Sequence, residues 1–139
     1  MSTSPHVMIP KSDELDLDFY QAVVKAGQLC MQRCSDCGGF THPPRYYCPL
    51  CSSGAFTFPP VSGNGKVYSY TVSHMSVEPA WQAHLPYVTL VVGLDEGPRV
   101  VASARNIKPD EVRIGMPVRI VTEAKSDGFA IFWAEPIAS

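Results

Sequence analysis

Four of the five cysteines in this 139-residue chain fall in two pairs, Cys34-Ser35-Asp36-Cys37 and Cys48-Pro49-Leu50-Cys51, with ten residues between them. Each C-x-x-C can fold into a tight knuckle that offers two thiolates to one metal ion. Two facing knuckles complete a tetrahedron, and four soft thiolates in a closed tetrahedron suit Zn²⁺. Gly38 and Gly39 follow the first pair and give the backbone the freedom a knuckle needs. A catalytic zinc requires an open position, and four thiolates leave none, so the ion is expected to be structural. Iron at the same spacing would make the protein an electron carrier. Two disulfides would require an oxidising compartment. Cys30 stands outside the spacing and is expected to be a small buried residue rather than a fifth ligand.

The cysteines divide the chain into three parts. Residues 1–28 are acidic and end in a helical pattern, with an unstructured arm expected over residues 1–11. Leu15, Phe19 and Val23 recur at spacings of four, as do Tyr20 and Val24. Ser12 is the expected N-cap, with Asp13 and Glu14 in the first turn, and Gly27 is the expected stop. Residues 29–60 hold every cysteine, few aliphatic side chains, and Pro43, Pro44, Pro49, Pro59 and Pro60. Apolar burial alone cannot hold such a stretch. Metal binding to small zinc peptides contributes roughly 10–16 kcal/mol, enough to order it.

Residues 61–139 read as strands. Lys66 to His74 alternates, placing Tyr68, Tyr70 and Val72 on one side. Tyr87 to Leu94 puts Val88, Leu90, Val92 and Leu94 on one face. Arg99 to Arg105 is a third strand, and Pro117 to Ala124 a fourth, with Val118 and Ile120 inward. Phe129 to Glu135 is a fifth, entered through an Asp127-Gly128 turn. Lys108 to Val112 allows one helical turn between the third and fourth. The expected fold is mainly β: an N-terminal helix, a rubredoxin-like zinc ribbon and a five-stranded OB barrel, with an SH3-like barrel as the competitor.

Charge narrows the function. The chain carries 11 basic and 13 acidic residues, a net charge of −2. A single-stranded nucleic-acid-binding module is the reading from another class, since ribbons and OB-folds both serve it. Such a module wants a positive groove, and the barrel segment sets seven basic residues against eight acidic ones. The start of the chain shows no basic stretch followed by an apolar one, and no run is apolar enough to cross a bilayer. A cytoplasmic, reducing location is therefore expected. Motifs of nucleophile elbows, zinc proteases and phosphate loops are absent. Gly63-Asn64-Gly65-Lys66 opens a strand rather than a helix and reads as a turn. His74, Glu78 and His84 share a loop but make a weak acid–base set.

The order of these elements carries a resemblance. The leading strand Gln28 to Arg33 is followed by Cys34-x-x-Cys37, Pro43-Pro44-Arg45 and Cys48-Pro49-x-Cys51. Then come Ser62-Gly63-x-Gly65-Lys66-Val67-Tyr68-Ser69, Pro86-Tyr87, Leu94 to Arg99, and Ile114-Gly115-Met116-Pro117-Val118. From about residue 15 onward the chain resembles the acyl-CoA-associated family that joins a zinc ribbon to an OB-fold, long catalogued as a domain of unknown function. The resemblance implies a non-catalytic accessory subunit of a thiolase-superfamily enzyme, either a thiolase or a thiolase-like steroid side-chain aldolase. It also leaves open a hot-dog-fold enoyl-CoA hydratase as partner. Such a subunit would form a hetero-oligomer in lipid or steroid metabolism and help hold the acyl-CoA. The ligands carry over as Cys34, Cys37, Cys48 and Cys51. No catalytic residue carries over.

Coenzyme A presents a diphosphate and a 3′-phosphate, so its site needs Arg or Lys beside a stacking surface. Lys66, Tyr68, Arg99 and Arg105 are the candidates for acyl-CoA. Trp81, in the long loop Ser76 to Pro86, and Arg45, beside Tyr46 and Tyr47, are the candidates for partner contact.

Overall fold

The computed structural model describes residues 13–125 and 128–137. Helix α1 (Glu14–Ala26) begins at Asp13, whose Oδ1 accepts the Asp16 N–H at 2.9 Å. The cap therefore lies at Asp13 rather than Ser12, and Ser12 and the expected arm lie outside the described residues. Gly27 ends the helix in the left-handed region at φ 70°, its N–H donating to the Val23 carbonyl. Leu15, Phe19 and Val23 are buried, which at 1.5–3 kcal/mol each contributes roughly 5–9 kcal/mol as an upper figure.

Strands β1 (Gln32–Cys34), β2 (Phe40–Thr41) and β3 (Phe56–Thr57) form a small antiparallel sheet with β1 in the middle. The leading strand is shorter than expected. Residues before Gln32 make one isolated bridge, Cys30 with Pro60, because proline supplies no ladder donor. The Leu29, Cys30 and Met31 side chains are fully buried and join the same core as α1 and the barrel. The segment is thus held by apolar burial as well as by its cysteines. Phe19 sits where the three parts meet, with ring centroids 5.4 Å from His42, 5.9 Å from Phe58 and 6.1 Å from Phe132.

The barrel consists of β4 (Asn64–Ser73), β5 (Tyr87–Leu94), β6 (Arg99–Ala104), β7 (Pro117–Ala124) and β8 (Ala130–Pro136). It closes in the order β4-β5-β6-β8-β7, with β6 and β8 parallel and β7 returning to β4. That circuit is the OB-fold, and a 3₁₀ turn at Pro109–Glu111 links β6 to β7. Val88, Leu90, Val92 and Leu94 all point into it, as do Val118 and Ile120. Of the expected hairpin turn, Asp127 lies outside the described residues and Gly128 is at φ 72°.

One strand departs from simple alternation. Val67 opposes Val92 but Ser69 opposes Val91, so the ladder slips by one residue at Tyr68. Such a bulge reverses the parity of all that follows. Tyr70 and Val72 now oppose the inward-facing Leu90 and Val88, whereas Tyr68 stays on the outer face with Lys66. The three residues do not share one side. Gly65 is required by close approach, since a Cβ there would collide with the Gly93 carbonyl on β5.

Candidate metal centre

The two knuckles repeat one backbone pattern. The Cys34 N–H donates to the Gly39 carbonyl and the Gly38 N–H to the Cys34 carbonyl, at 2.9 and 3.0 Å. The Cys48 N–H donates to the Ser53 carbonyl and the Ser52 N–H to the Cys48 carbonyl, both at 2.8 Å. Each knuckle turns on a left-handed residue after its second cysteine, Gly38 at φ 76° and Ser52 at φ 67°. Gly39 is not the left-handed position.

The turns bring four sulfurs within 4.8 Å of one another. Cys34 Sγ lies 3.5 Å from Cys51 Sγ, and Cys37 Sγ 3.6 Å from Cys48 Sγ. A zinc–sulfur bond near 2.3 Å implies tetrahedral edges of about 3.8 Å, so the quartet fits one zinc ion. The spacing is too long for disulfides, whose S–S bond is about 2.05 Å. The Cys37 N–H points at Cys34 Sγ and the Leu50 N–H at Cys48 Sγ, both at 3.4 Å. These donors favour thiolate. The Cys37 N–H, above all, draws Cys34 down to about 6, and the Leu50 N–H draws Cys48 down. At Cys51 the Ser53 N–H pulls down, but Cys34, burial and the other thiols outweigh it and push the group up to about 12. Four adjacent thiolates need a cation, and zinc bound here supplies it.

The sequence reading did not single out the residues that brace this centre. Arg33 Nε donates to the Gly38 carbonyl at 3.1 Å, tying β1 to the first knuckle. Ser53 Oγ bonds to Asp36 Oδ2 and joins the two knuckles. Asp36 occupies an x position between paired cysteines and Ser53 lies two residues past the second pair, and only the fold shows that they meet. Cys30 stands apart, its thiol near the Ala22 and Gln28 carbonyls and pushed up by burial.

The remaining candidates fall in separate places. Lys66, Tyr68 and Arg99 come together on the outer face of β4, β5 and β6, with the Arg99 guanidinium 3.8 Å above the Tyr68 ring. Arg105 is not with them. It follows the far end of β6, paired with Glu135 at 3.0 Å and 5.3 Å from the Trp133 ring. Trp81 is half-buried. It packs 5.3 Å from Tyr87 and 5.7 Å from His84, lining a cleft of about 150 Å³ that Trp133 also lines. Arg45 is exposed beside Tyr46 and Tyr47. Among the described residues no hydrogen bond joins His74, Glu78 and His84.

A four-cysteine ribbon sharing one core with an OB barrel defines a zinc-ribbon OB-fold protein with a structural metal. Residues 22–57 match the ChsH2 rubredoxin-like zinc ribbon domain, and residues 59–123 match the ChsH2 C-terminal OB-fold domain. The chain belongs to the ChsH2 (DUF35) family. It is 38% identical over 98 residues to a DUF35 domain-containing scaffold protein of Methanocaldococcus jannaschii, covering 69% of each chain. It is 41% identical over 103 residues to a probable enoyl-CoA hydratase alpha subunit of Thermomonospora curvata, covering 74% of this chain. A 3-oxo-4,17-pregnadiene-20-carboxyl-CoA hydratase alpha subunit of Mycobacterium tuberculosis is 36% identical over 83% of this chain. The chain spans about a third of these two hydratase subunits, 32% and 36% of their lengths. Among solved structures, a chain of the Ltp2-ChsH2(DUF35) aldolase superposes with a TM-score of 0.80 at 34% identity, covering 92% of this chain and 98% of that one.

Proposed function

We propose that this chain is a non-catalytic, zinc-containing accessory subunit that partners a thiolase-superfamily enzyme in the cytoplasm and helps hold its acyl-CoA substrate. The thiolase-like steroid side-chain aldolases are the favoured partners. The observation that carries the reading is the likeness to a chain of the Ltp2-ChsH2(DUF35) aldolase, which extends over 98% of that chain. Physical features support it. The metal is closed off by four sulfurs and serves stiffness, not chemistry. The rigid tip displays Tyr46, Tyr47 and Leu50, each more than half exposed, and aromatic side chains of this kind anchor interfaces. No helix among the described residues is long and apolar enough to cross a membrane.

The names of the hydratase relatives favour a second reading, a CoA-ester hydratase as partner, which the family resemblance would make an enoyl-CoA hydratase of the hot-dog fold. Co-purification from the native host separates the two. Co-elution with a thiolase-like enzyme, and carbon–carbon cleavage of an acyl-CoA aldol only when both chains are present, is the expected result. Co-elution with a hydratase supports the second reading. A chain that leaves the column alone refutes both.

A further inference from the structure

The register places four residues in one cross-strand row on the outer face of the barrel. Pro117 on β7 opposes Lys66 on β4, Lys66 opposes Gly93 on β5, and Gly93 opposes Arg99 on β6. Directly opposed residues of antiparallel strands share a face. Lys66 sits between the inward-facing Gly65 and Val67, so the row faces outward. Two cations therefore flank a position with no side chain. Strands lie about 4.8 Å apart, which sets the Lys66 and Arg99 backbones roughly 10 Å apart across bare backbone at Gly93.

Packing does not demand that glycine. A Cβ on Gly93 would meet only the Lys66 carbonyl at 3.9 Å, an ordinary contact. The missing side chain leaves an open notch. Arg99 is held at its edge by the Tyr68 ring, at 3.8 Å, and neither Arg99 nor Lys66 forms an ion pair among the described residues. Exposed Tyr68 and Val101 add flat apolar surface beside the charges. Asp95 and Glu96, at the β5–β6 turn, are the nearest acids in sequence, and Glu96 is engaged elsewhere, its Oε2 accepting from the Ser62 N–H and Oγ at 3.1 and 3.0 Å.

We propose that the Lys66–Gly93–Arg99 notch is a phosphate-binding site, fitted to the diphosphate of a ligand that also carries a planar ring, as coenzyme A does. A stacked guanidinium keeps its fork free for paired phosphate oxygens, and a lysine on the far side adds a mobile point charge. The assignment rests on the acyl-CoA reading above and locates its phosphate end. Arg105, paired with Glu135 at the other end of β6, takes no part.

Calorimetry on the full chain, alone and with its co-purified partner, tests it with CoA, inorganic pyrophosphate and a thymidine oligonucleotide as probes. The variants are Lys66→Ala, Arg99→Ala and Gly93→Val, the last filling the notch with both charges kept. CoA is expected to bind, and each variant to weaken it at least about tenfold, the two alanines through loss of a charge-assisted bond and the valine by filling the notch, with zinc content and circular dichroism unchanged. CoA binding tighter than pyrophosphate assigns the site to the nucleotide ligand, and equal binding assigns it to the phosphates alone; both support the notch. Unchanged CoA affinity in all three variants overturns it, as does tighter binding of the oligonucleotide. If the enzyme complex forms while the variants change nothing, the notch is refuted and the subunit reading stands. If no complex forms, the subunit reading falls, and titration of the free chain still decides the notch.

Discussion

Gln32 and Arg45 clamp each other at two points. Gln32 Nε2 donates to the Arg45 carbonyl at 2.6 Å, and the Arg45 N–H donates to Gln32 Oε1 at 2.8 Å. Gln32 is 4% exposed, the one buried polar residue among the described residues. Its amide ties the Pro43-Pro44-Arg45 turn to β1, where the two-residue strand β2 has already ended. It fixes the loop that presents Arg45, Tyr46 and Tyr47.

Replacing Gln32 by Leu keeps the volume but strands both backbone groups of Arg45. The expected cost is about 2–4 kcal/mol, one to two buried unsatisfied groups. Urea denaturation measures it. Partner affinity should fall more than zinc content, because the clamp holds the display loop and not the sulfurs. A variant with unchanged stability and partner affinity would contradict this account.

The two knuckles predict opposite effects of glycine and alanine. Ser52 adopts φ 67°, where a side chain costs roughly 1–2 kcal/mol. Ser52→Gly relieves that cost and returns roughly 0.4–1 kcal/mol to the unfolded chain. A net gain of about 0.5 kcal/mol is expected from these figures. Gly38→Ala imposes the strain instead and should lose about 1–2 kcal/mol, although space is available, the nearest atom being Arg33 Nη2 at 3.6 Å. Thermal melts of the zinc-loaded protein test the pair.

Removing one ligand should empty the centre. Cys48→Ala leaves three thiolates and breaks the Leu50 N–H to sulfur contact. Zinc content by elemental analysis is expected to fall from one ion per chain to near zero, and a strong chelator should do the same to the native protein. The effect should concentrate in the knuckles. Leu29 and Met31 remain anchored in the barrel core whatever happens at the sulfurs, so the β-sheet dichroism should persist. Retention of a full zinc ion by the variant would refute the four-sulfur centre.

The metal centre was legible because it is written locally: two pairs, a fixed spacing and a following glycine. The barrel was legible because inward faces alternate, as in Val88 to Leu94. What escaped depends on contacts distant in sequence or on one-residue slips. The bulge at Tyr68 changes no residue type, yet it sends Tyr70 to the other face. The shared core was hidden because Leu29 and Met31 are isolated aliphatics among cysteines and prolines. Only the docking of α1 and the barrel gives them something to bury against. Arg105 looked equivalent to Arg99 by charge, and its Glu135 partner lies thirty residues away. The Gln32 clamp is equally silent, since no pattern marks a glutamine whose partner is a backbone.

The last prediction concerns acid. His42 lies under Phe19, and burial holds its imidazole down to about 4 from an ordinary 6.5. Its folded-state value is below its unfolded one. Above pH 6.5 both states hold it neutral and it leaves stability independent of pH. As pH falls below 6.5 the unfolded chain takes up the proton and the folded chain does not, so stability is lost progressively until pH 4. Linkage puts the loss between pH 7.5 and pH 5 at about 2 kcal/mol. Zinc release in acid also destabilises the protein, and the comparison must separate the two. His42→Leu removes the titrating group and leaves the four sulfurs in place. The difference in unfolding free energy between the native protein and this variant, measured by denaturant at each pH, cancels the metal contribution. That difference should shift by about 2 kcal/mol in favour of the variant between pH 7.5 and 5, and a difference that stays flat would show that His42 is not buried as described.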